Sequence, residues 1–314
     1  MVKFASTTLV FTDEEIKKII SMDDAVEAVE SCFKEHGIGN ATNLTASFDT
    51  SKKSVHMKAG FIRSKNLVAL KTLGFIVLSD INVRSPLAMM DSTLVTWLRT
   101  GAAGAVAARH LARRDSKKIA VIGTGKQGRA QLIGLTRVLP SISTVRAWSP
   151  TLGKREVYAE EMSKNLGLDV KAVDTCRDAV IGTDLIVTAT WAREPLVKGE
   201  WVSPGTHVNA MGADLVGMQE LDFALLQKSK IFVDEIDQAL KMGAVNVPFS
   251  NAEIARDSIQ GTLGQVIAKK IQGRVSDDDI TVFDSSGIGM QDVALASLAY
   301  ERRDMVPHQE FHLA

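Results

Sequence analysis

The feature that most constrains this fold is a glycine-rich turn between an apolar run and a helical segment. The segment KKIAVIGTGKQGRAQ at positions 117–131 places Gly123, Gly125 and Gly128 directly after IAVI. In such a turn the first glycine permits the tight bend, the second lets a pyrophosphate approach the backbone, and the third lets helix and strand pack closely. Amides at the helix N-terminus then face the phosphates. The pattern predicts a dinucleotide site at Gly123, Thr124, Gly125, Lys126, Gln127 and Gly128; an ordinary tight turn is the alternative.

From position 117 onward, apolar runs alternate with helical segments. The runs are KIAVIG, TVRAWS, LDVKAV, DLIVTAT, THVNAMG, KIFVDE and ITVFDSS, and the helical segments include RAQLIGLTRVL and KREVYAEEMSKNL. Strands that are apolar throughout and alternate with helices indicate a parallel sheet covered on both faces. The pattern predicts an α/β fold in which residues 115–288 form a Rossmann doubly wound parallel sheet.

Residues 1–114 are predicted to form a separate domain of mixed helix and strand. Thr12 with Glu15, and Ser21 with Asp24, have the spacing of capping boxes. Short apolar stretches between 44 and 82 indicate antiparallel strands, which are expected to end at Pro86. Helical spacing returns in DSTLVTWLRTGAAGAVAARHLAR, and the final MQDVALASLAYERR indicates an amphipathic helix.

The composition argues against several function classes. Lysine plus arginine equals aspartate plus glutamate at 37 each among 314 residues, which gives no indication of a nucleic-acid or membrane partner. Cys32 and Cys176 lie far apart without a CxxC pair or a histidine cluster of metal-ligand spacing. They are expected to be reduced thiols, with no metal bound. The chain starts without a secretory h-region and has no apolar run approaching about 20 residues, so we expect a cytoplasmic protein.

The second predicted strand of the glycine-rich domain bears on cofactor choice. An acid at the end of this strand usually binds the ribose 2′-hydroxyl of NAD, but this chain has Ser149 and Thr151 there, followed by Lys154 and Arg155. No carboxylate is placed to repel a 2′-phosphate, and hydroxyls and cations would accept one. NADP(H) is therefore favoured and NAD(H) stays open. The alternative is that Lys154 and Arg155 only form a solvated first turn of the next helix.

Several segments together resemble the ornithine cyclodeaminase/μ-crystallin family. They are PLAMMDSTLVTWLRTGAAGAVAARHLAR, VIGTGKQGRAQ, EWVSPGTHVNAMGAD, QELD, KIFVDE and FDSSGIGMQDVA, in order along most of the chain. Within the family the chain resembles the archaeal alanine dehydrogenase branch. The resemblance implies a homodimer in which residues 1–114 with 289–314 form an α+β domain for substrate binding and dimerisation. It also implies hydride exchange between a nicotinamide and the α-carbon of a small amino acid or imine.

The resemblance assigns roles to individual residues. Lys71 is similar to the family lysine at the reacting region of the substrate, Arg99 to the arginine that binds its carboxylate, and Asp214 to the catalytic aspartate that moves a proton. Without the family, Lys71 would snorkel at a strand edge, Arg99 would pair with helix-end carbonyls and Asp214 would form a turn. Further expected contacts are Ser286 and Gly287 near substrate and cofactor, and Thr188, Thr190, Met211 and Asn209 near the nicotinamide. His56, His110 and His207 are expected to be structural.

The chain also departs from the family pattern at two places beside the substrate site. By the resemblance, Asn43 stands at the position of a further family cation, and Lys58 or Arg63 are the candidates to replace its charge. After Lys71 the chain runs directly from TLGFIVLSD to INVRSPLAMMD, whereas relatives have a longer Asn-, Pro- and Gly-containing loop before the strand that leads to the PLA segment. A shortened loop is expected to open or reshape the pocket, so the substrate stays undetermined.

Three hypotheses follow for the function. The leading one is an NAD(P)-dependent oxidoreductase, either an amino-acid dehydrogenase or an imine reductase, with Lys71 and Asp214 as catalytic residues. The second is an ornithine or lysine cyclodeaminase that recycles bound NAD. The third is a non-catalytic NADP(H)-dependent binding protein of the μ-crystallin type, which retention of Lys71, Arg99 and Asp214 argues against.

Overall fold

The computed structural model describes residues 7–49 and 54–312. Its strands are β1 (Thr7–Phe11), β2 (Ala41–Asp49), β3 (Ser54–Ile62), β4 (Leu67–Thr72), β5 (Phe75–Asp80), β6 (Ser85–Asp91), β7 (Lys118–Ile122), β8 (Thr144–Trp148), β9 (Asp169–Ala172), β10 (Leu185–Thr188), β11 (His207–Ala210), β12 (Lys230–Val233), β13 (Ile259–Thr262), β14 (Thr281–Asp284) and β15 (Gln309–His312). Its α-helices are α1 (Asp13–Ile19), α2 (Met22–Gly37), α3 (Ser92–Leu111), α4 (Lys126–Val138), α5 (Leu152–Leu166), α6 (Cys176–Val180), α7 (Phe223–Gln227), α8 (Ile236–Met242), α9 (Asn246–Ser250), α10 (Leu263–Ile267) and α11 (Gly289–Glu301).

The chain divides into two compact units. The first unit is Met1–Arg99 with Gly287–Ala314, and the second unit is Thr100–Ser286. The division falls inside α3, whereas the sequence placed it after residue 114. The later half of α3 belongs to the second unit because it packs closely on α4: a Cβ on Gly134 would lie 2.5 Å from the carbonyl oxygen of Gly101.

The first unit is built on a seven-stranded mixed sheet in the order β15-β1-β6-β5-β4-β3-β2. Strands β2 to β6 form an antiparallel meander, as the sequence predicted, and β1 pairs parallel with β6. The prediction that Pro86 ends the strand region is wrong, because Pro86 lies within β6. It is tolerated there because the register between β5 and β6 shifts beside it, at Leu78/Ser79. Both predicted capping boxes are present, at the starts of α1 and α2.

Helix α11 packs on one face of this sheet. The prediction of an amphipathic helix is wrong, because nearly every residue from Gly289 to Ala299 is buried. The sheet approaches so closely that a Cβ on Gly60 would collide with the backbone of Met290. A helix enclosed on all sides by its own unit is apolar around its whole circumference.

The second unit contains an eight-stranded sheet whose pairings are all parallel, in the order β13-β12-β14-β11-β10-β7-β8-β9. The run from β9 to β11 has the doubly wound order with β7 at its centre, which confirms the predicted α/β fold with a Rossmann sheet. Strand β13 was not predicted, because its four residues IQGT carry little apolar signal. No helix in the described part of the chain has the length and apolar character needed to cross a membrane.

A buried polar network holds α3 and α4 to the second sheet. Gln131 on α4 donates to the carbonyl of Thr100 at 2.6 Å, and Asn209 on β11 donates to that of Gly104 at 3.0 Å. His207 lies between Thr281 Oγ1 and the side-chain oxygen of Asn209, each at 2.9 Å. Burial lowers the pKa of His207 to about 3, so this histidine stays neutral and structural, as the sequence indicated.

Candidate active site

The glycine-rich turn has the geometry that its three glycines predicted. Gly123 has φ +108°, and a Cβ there would collide with the carbonyl oxygen of Ala189. A Cβ on Gly128 would collide with the carbonyl oxygen of Gly123, so helix and turn are in close contact. Gly125 is different, because nothing lies within 4 Å of the position its Cβ would occupy. The turn is therefore closed on the protein side and open at Gly125.

Helix α4 begins at this opening without a side-chain cap. Gly125 is its N-cap residue, and Lys126 and Gln127 form its first turn. The first amides of a helix lack intrahelical partners and favour an anion. Arg129 steadies the turn by donating to the carbonyl of Thr124 at 2.6 Å, while its guanidinium also binds Glu161 at 2.7 Å. These residues fit the pyrophosphate of a dinucleotide.

The hydroxyl groups after β8 lie next to this turn. Thr124 Oγ1 donates to Ser149 Oγ at 2.9 Å. Arg155 is buried and donates to the carbonyl of Ser149 at 3.3 Å and to Asp174 at 2.7 Å, so it fixes the backbone at Ser149. Thr151 is the N-cap residue of α5, and Lys154 is exposed in the first turn of that helix. Ser149 is thus joined to the glycine-rich turn, and Lys154 is the exposed cation nearby in sequence.

The residues after β10 and β11 differ in accessibility. Thr188 and Asn209 are fully buried, and Met211 is nearly so. Asn209 belongs to the network that holds α3, which explains its burial. Thr190 is only partly buried, and both its hydroxyl and its backbone N–H donate to Glu220. Among these four residues Thr190 is therefore the best exposed to a ligand.

Asp214 lies in the segment that follows β11. Its side chain is half-buried, and its carboxylate makes no hydrogen bond or ion pair within residues 7–49 and 54–312. The segment reverses at Gly217, which has φ +79°. The carboxyl edge of a parallel sheet is where α/β proteins bind ligands, and an uncommitted carboxylate there is free to exchange a proton.

The first unit buries a cluster of charged side chains at the start of α11. Lys71 on β4 donates to Asp292 Oδ1 at 3.3 Å and to Thr96 Oγ1 at 3.3 Å. Arg99 on α3 places its Nε 3.8 Å from the same Asp292 oxygen. Asp292 is 1% exposed and is shared by both cations. It therefore fixes the two residues that the sequence assigned to the substrate.

Arg99 is also held by two neighbours in the first unit. Its Nη1 donates to Gln291 Oε1 at 3.3 Å, and its guanidinium lies so close to Gly287 that a Cβ there would collide with it. Gly287 has φ +76°, so glycine is required by conformation as well as by space. Three buried atoms of the cluster have no hydrogen-bond partner among the described residues: Arg99 Nε, Gln291 Nε2 and Asp292 Oδ2.

Lys58 joins this cluster, whereas Arg63 does not. Lys58 on β3 is directly opposite Lys71 on β4 and is 7% exposed. Its Nζ donates to the carbonyl of Gly287 at 2.8 Å. Arg63 lies beyond the end of β3 and is exposed. Asn43, which by the resemblance stands at the position of a family cation, accepts the N–H of Gly289 at the start of α11.

The chain after Lys71 forms a tight hairpin. Strands β4 and β5 are joined by Leu73 and Gly74 alone, and Gly74 has φ +95°. Leu73 is 73% exposed at the tip. A two-residue connection with a glycine in the left-handed region is a favoured hairpin turn. The shortened loop is therefore a regular element that needs no further chain.

Several residues of these clusters were not among the predicted site residues. Asp292 and Gln291 interrupt an otherwise apolar helix, and a buried charge in such a helix is a signal of function that the sequence offered. Glu220 lies in QELD, where nothing in the local pattern distinguishes it from a surface acid. Ser286 is buried and accepts from Gln238 at 2.7 Å, so it is tied into the second unit.

Comparisons with known proteins agree with these features. The model of the ornithine cyclodeaminase/mu-crystallin family matches residues 6–305. The alanine dehydrogenase of Archaeoglobus fulgidus is 38% identical over 312 residues, which cover 94% of each chain. An archaeal alanine dehydrogenase dimer with bound NAD has a TM-score of 0.93 and 35% identity, covering 98% of this chain and 100% of that chain. The Δ(1)-pyrroline-2-carboxylate reductase of Thermococcus litoralis, in complex with NADH and L-proline, has a TM-score of 0.91 and 32% identity, covering 95% and 98%. As its motifs predicted, this chain belongs to the ornithine cyclodeaminase/mu-crystallin family.

Proposed function

We propose that this protein is an NADP(H)-linked oxidoreductase that acts at the α-carbon of a small α-amino acid, its imine or a cyclic ketimine. The observation that carries the proposal is the buried cluster in which Lys71 and Arg99 share Asp292, with Lys58 opposite Lys71. Buried cations of this kind suit a carboxylate. The similar proteins named above are an amino-acid dehydrogenase and an imine reductase, which supports the oxidoreductase class.

The second unit fits a dinucleotide. Gly123 and Gly128 close the turn, Gly125 leaves space beside the backbone, and the uncapped first turn of α4 offers N–H groups to phosphate. Thr124, Lys126 and Gln127 line the same turn. We assign these residues to the pyrophosphate, and Thr188, Thr190 and Met211 to the surroundings of the nicotinamide. Thr188 is fully buried, so we expect it to shape the surroundings of the nicotinamide without touching the cofactor.

The preference for NADP(H) rests on the chemistry after β8. Ser149 stands where NAD-binding folds usually have an acid, and it is hydrogen-bonded to Thr124. A 2′-phosphate would accept from Ser149, from Thr151 and from Lys154. Arg155 contributes through the backbone, because its own guanidinium is committed to Ser149 and Asp174.

Each residue of the proposed site has a distinct role in the reaction. Arg99 binds the substrate carboxylate through its planar guanidinium, and Lys71 places positive charge beside the reacting C=N or C=O bond. Asp292 holds both cations in position, and Gly287 lies close to Arg99. We assign Gly287 and Ser286 to substrate binding. Asp214 exchanges a proton with the substrate nitrogen or with water. The nicotinamide, when bound, supplies the hydride acceptor or donor for the α-carbon.

A homodimer is the proposed assembly. On the face of the first sheet opposite α11, a row of apolar residues crosses five strands through the pairs Leu44–Ala59, Ala59–Leu70, Leu70–Val77 and Val77–Met89. Leu44 is 67% exposed and Leu70 44% exposed. An exposed apolar patch of this kind marks an association surface, and the similar archaeal alanine dehydrogenase is a dimer. The variant Leu44→Lys/Leu70→Lys should be monomeric by light scattering, and a dimeric variant would contradict this surface.

The test of the proposed function combines binding with turnover. NADPH and NADH are titrated first, and absorbance at the reduced nicotinamide band is then followed with amino acids, with keto acids plus ammonia, and with cyclic imines. We expect tighter NADPH binding and a redox change with at least one substrate. Tight NADPH binding without any redox change would refute the oxidoreductase. Formation of proline or pipecolate from ornithine or lysine without net cofactor change would identify a cyclodeaminase instead.

A further inference from the structure

Glu220 is a fully buried carboxylate at the carboxyl edge of the second sheet. It is 0% exposed, and its two oxygens accept four hydrogen bonds. Oε1 accepts from the N–H of Thr190 at 2.6 Å and from its hydroxyl at 2.7 Å. Oε2 accepts from the hydroxyl of Thr188 at 2.8 Å and from the N–H of Gly212 at 3.0 Å. All four partners are donors, so a carboxylate fits where an amide or an apolar side chain does not.

These four donors come from two neighbouring strand ends. Thr188 ends β10 and Thr190 follows it, while Gly212 follows β11 and precedes Asp214 by two residues. A Cβ on Gly212 would lie 2.5 Å from Glu220 Oε1 and 2.5 Å from the nitrogen of Thr190. Glu220 therefore joins the two segments that bear the nicotinamide contact and the proton-exchanging aspartate.

The same connection reaches the glycine-rich turn. Gly123 packs against the carbonyl of Ala189, and a Cβ on Gly123 would lie 3.0 Å from the methyl group of Thr190. From the other side, the carbonyl of Glu220 accepts from the N–H groups of Leu196 and Val197, at 2.9 and 3.0 Å. The backbone of Glu220 is thus held in place by two hydrogen bonds, and its carboxylate holds Thr190 against the glycine-rich turn.

We propose that Glu220 is a positioning residue that orients Thr190 toward the nicotinamide carboxamide and fixes the segment leading to Asp214. The hydroxyl hydrogen of Thr190 is used in the bond to Glu220, and one lone pair accepts the N–H of Ala192 at 3.3 Å. This hydroxyl therefore presents only its remaining lone pair to a ligand. The ligand group that this hydroxyl can bind is therefore a hydrogen-bond donor, and the primary amide of a nicotinamide provides one in its NH₂ group. This inference rests on the proposed function for the identity of the ligand.

The experiment compares ligands with and without the nicotinamide. Glu220→Gln replaces one acceptor oxygen by an NH₂ group, which cannot accept the hydrogen bonds that this oxygen received. The variant should therefore lose part of its hold on Thr190. We expect NADPH to bind about tenfold more weakly, while 2′-phospho-ADP-ribose, which lacks the nicotinamide, binds as to the unmodified protein. A general disturbance of the fold would weaken both ligands equally and would overturn the proposal. Glu253→Gln, an exposed acid of the same unit, is the matched control and should change neither affinity.

A double-variant cycle tests the route through Thr190. If Glu220 acts through this hydroxyl, then Thr190→Val weakens NADPH by a similar factor and the double variant is no weaker than either single one. Thr190→Ser should restore the affinity because it keeps the hydroxyl. Additive losses would overturn the route. Should Glu220→Gln fail to fold, Thr190→Val and Thr190→Ser still decide between the outcomes with the two ligands.

Failure of the proposed function gives a different result. An unmodified protein that binds NADPH but reduces or oxidises no substrate would refute the oxidoreductase, while the affinities of the variants would still test Glu220. Where turnover is found, Glu220→Gln should lower kcat by about tenfold or more in addition to its effect on binding, because Gly212 no longer holds the segment before Asp214.

Discussion

The two units bury ionisable side chains in opposite ways. In the first unit, Lys71 and Arg99 share the carboxylate of Asp292, and Lys58 lies directly opposite Lys71. In the second unit, Glu220 and Asp284 are fully buried carboxyl groups held by N–H and O–H donors, and neither pairs with a cation in the described part of the chain. The first unit therefore buries several cations around one acid, whereas the second unit surrounds its buried acids with uncharged hydrogen-bond donors.

The difference distinguishes the residues that we propose to bind a ligand from the residues that hold the fold together. A buried acid surrounded by four donors is satisfied by the fold and has little capacity left for a ligand. Two lysines directly opposite each other repel and destabilise the sheet, so we expect an anionic ligand to offset this repulsion. Asp214 is the exception in the second unit, because its carboxylate makes no hydrogen bond or ion pair within residues 7–49 and 54–312.

The largest expected effect tests this exception. Asp214→Asn removes the proton-exchanging group and should lower kcat about a thousandfold, within the range of general acid–base catalysis, while the Kd for NADPH stays unchanged. Steady-state kinetics and a cofactor titration measure the two quantities. Asp257→Asn, an exposed acid of the same unit, serves as control and should leave both unchanged. A kcat within tenfold of the unmodified enzyme would rule out Asp214 as the proton-exchanging group.

A smaller effect is expected at the cofactor's 2′ position. Ser149→Asp restores an acid after β8, which repels a 2′-phosphate and accepts a ribose hydroxyl. The ratio of kcat/KM for NADPH over NADH should fall about a hundredfold. Thr124 already donates to Ser149, so the new carboxylate has a partner. The control is Ser203→Asp. Ser203 precedes β11 and so lies at the amino ends of the strands, away from Ser149 at their carboxyl ends. This variant should leave the ratio of kcat/KM for NADPH over NADH unchanged. An unchanged ratio in Ser149→Asp would show that this position does not meet the 2′-phosphate.

The cations of the first unit predict a smaller change still. Lys58→Met removes one charge of the opposed pair and should raise the KM for the carboxylate substrate about tenfold, while thermal stability changes little because a like-charge contact is removed together with the bond to Gly287. Arg63→Met is the matched control, since Arg63 is exposed beyond the end of the same strand. A raised KM in Arg63→Met and not in Lys58→Met would reverse the assignment of the additional cation.

The contrast between the units also explains how much the sequence could reveal. The second unit was predictable because its strands are apolar throughout and its turn carries GxGxxG, which are both local signals. Lys71, Arg99 and Asp214 came from the family resemblance. Asp292 was missed because its contacts with Lys71 and Arg99 span 221 and 193 positions of the chain. Such pairs arise only from tertiary packing, so no window of the sequence contains them.

Glu220 and β13 were missed for a related reason. The four bonds of Glu220 depend on where two strand ends meet, and the neighbouring residues in QELD give no sign of burial. Strand β13 is defined by its pairing with β12 rather than by its own four residues. The amphipathic assignment of α11 failed because burial on all sides depends on the sheet and on α2, which lie far away in the sequence.

The smallest expected effect concerns the acids of the second unit. Burial raises the pKa of Asp284 to about 8, with Asp234 and Glu220 adding in the same direction against the N–H groups of Ala244 and Val245. Between the ordinary carboxyl pKa and 8 the folded protein keeps a proton that the unfolded chain releases. The contribution of Asp284 to stability is therefore complete at low pH and is lost as pH rises through this window.

Asp284→Asn removes this titration, so the comparison between the two proteins isolates it. We expect the melting temperature of the unmodified protein, relative to Asp284→Asn, to fall by several degrees from pH 5 to pH 8. His207 gains stability with rising pH because its pKa is lowered to about 3, but both proteins contain it and its effect cancels in the difference. If the melting temperatures of the two proteins change in parallel across this pH range, then the donors around Asp284 offset its burial. The buried acids of the second unit would then not destabilise the protein at neutral pH.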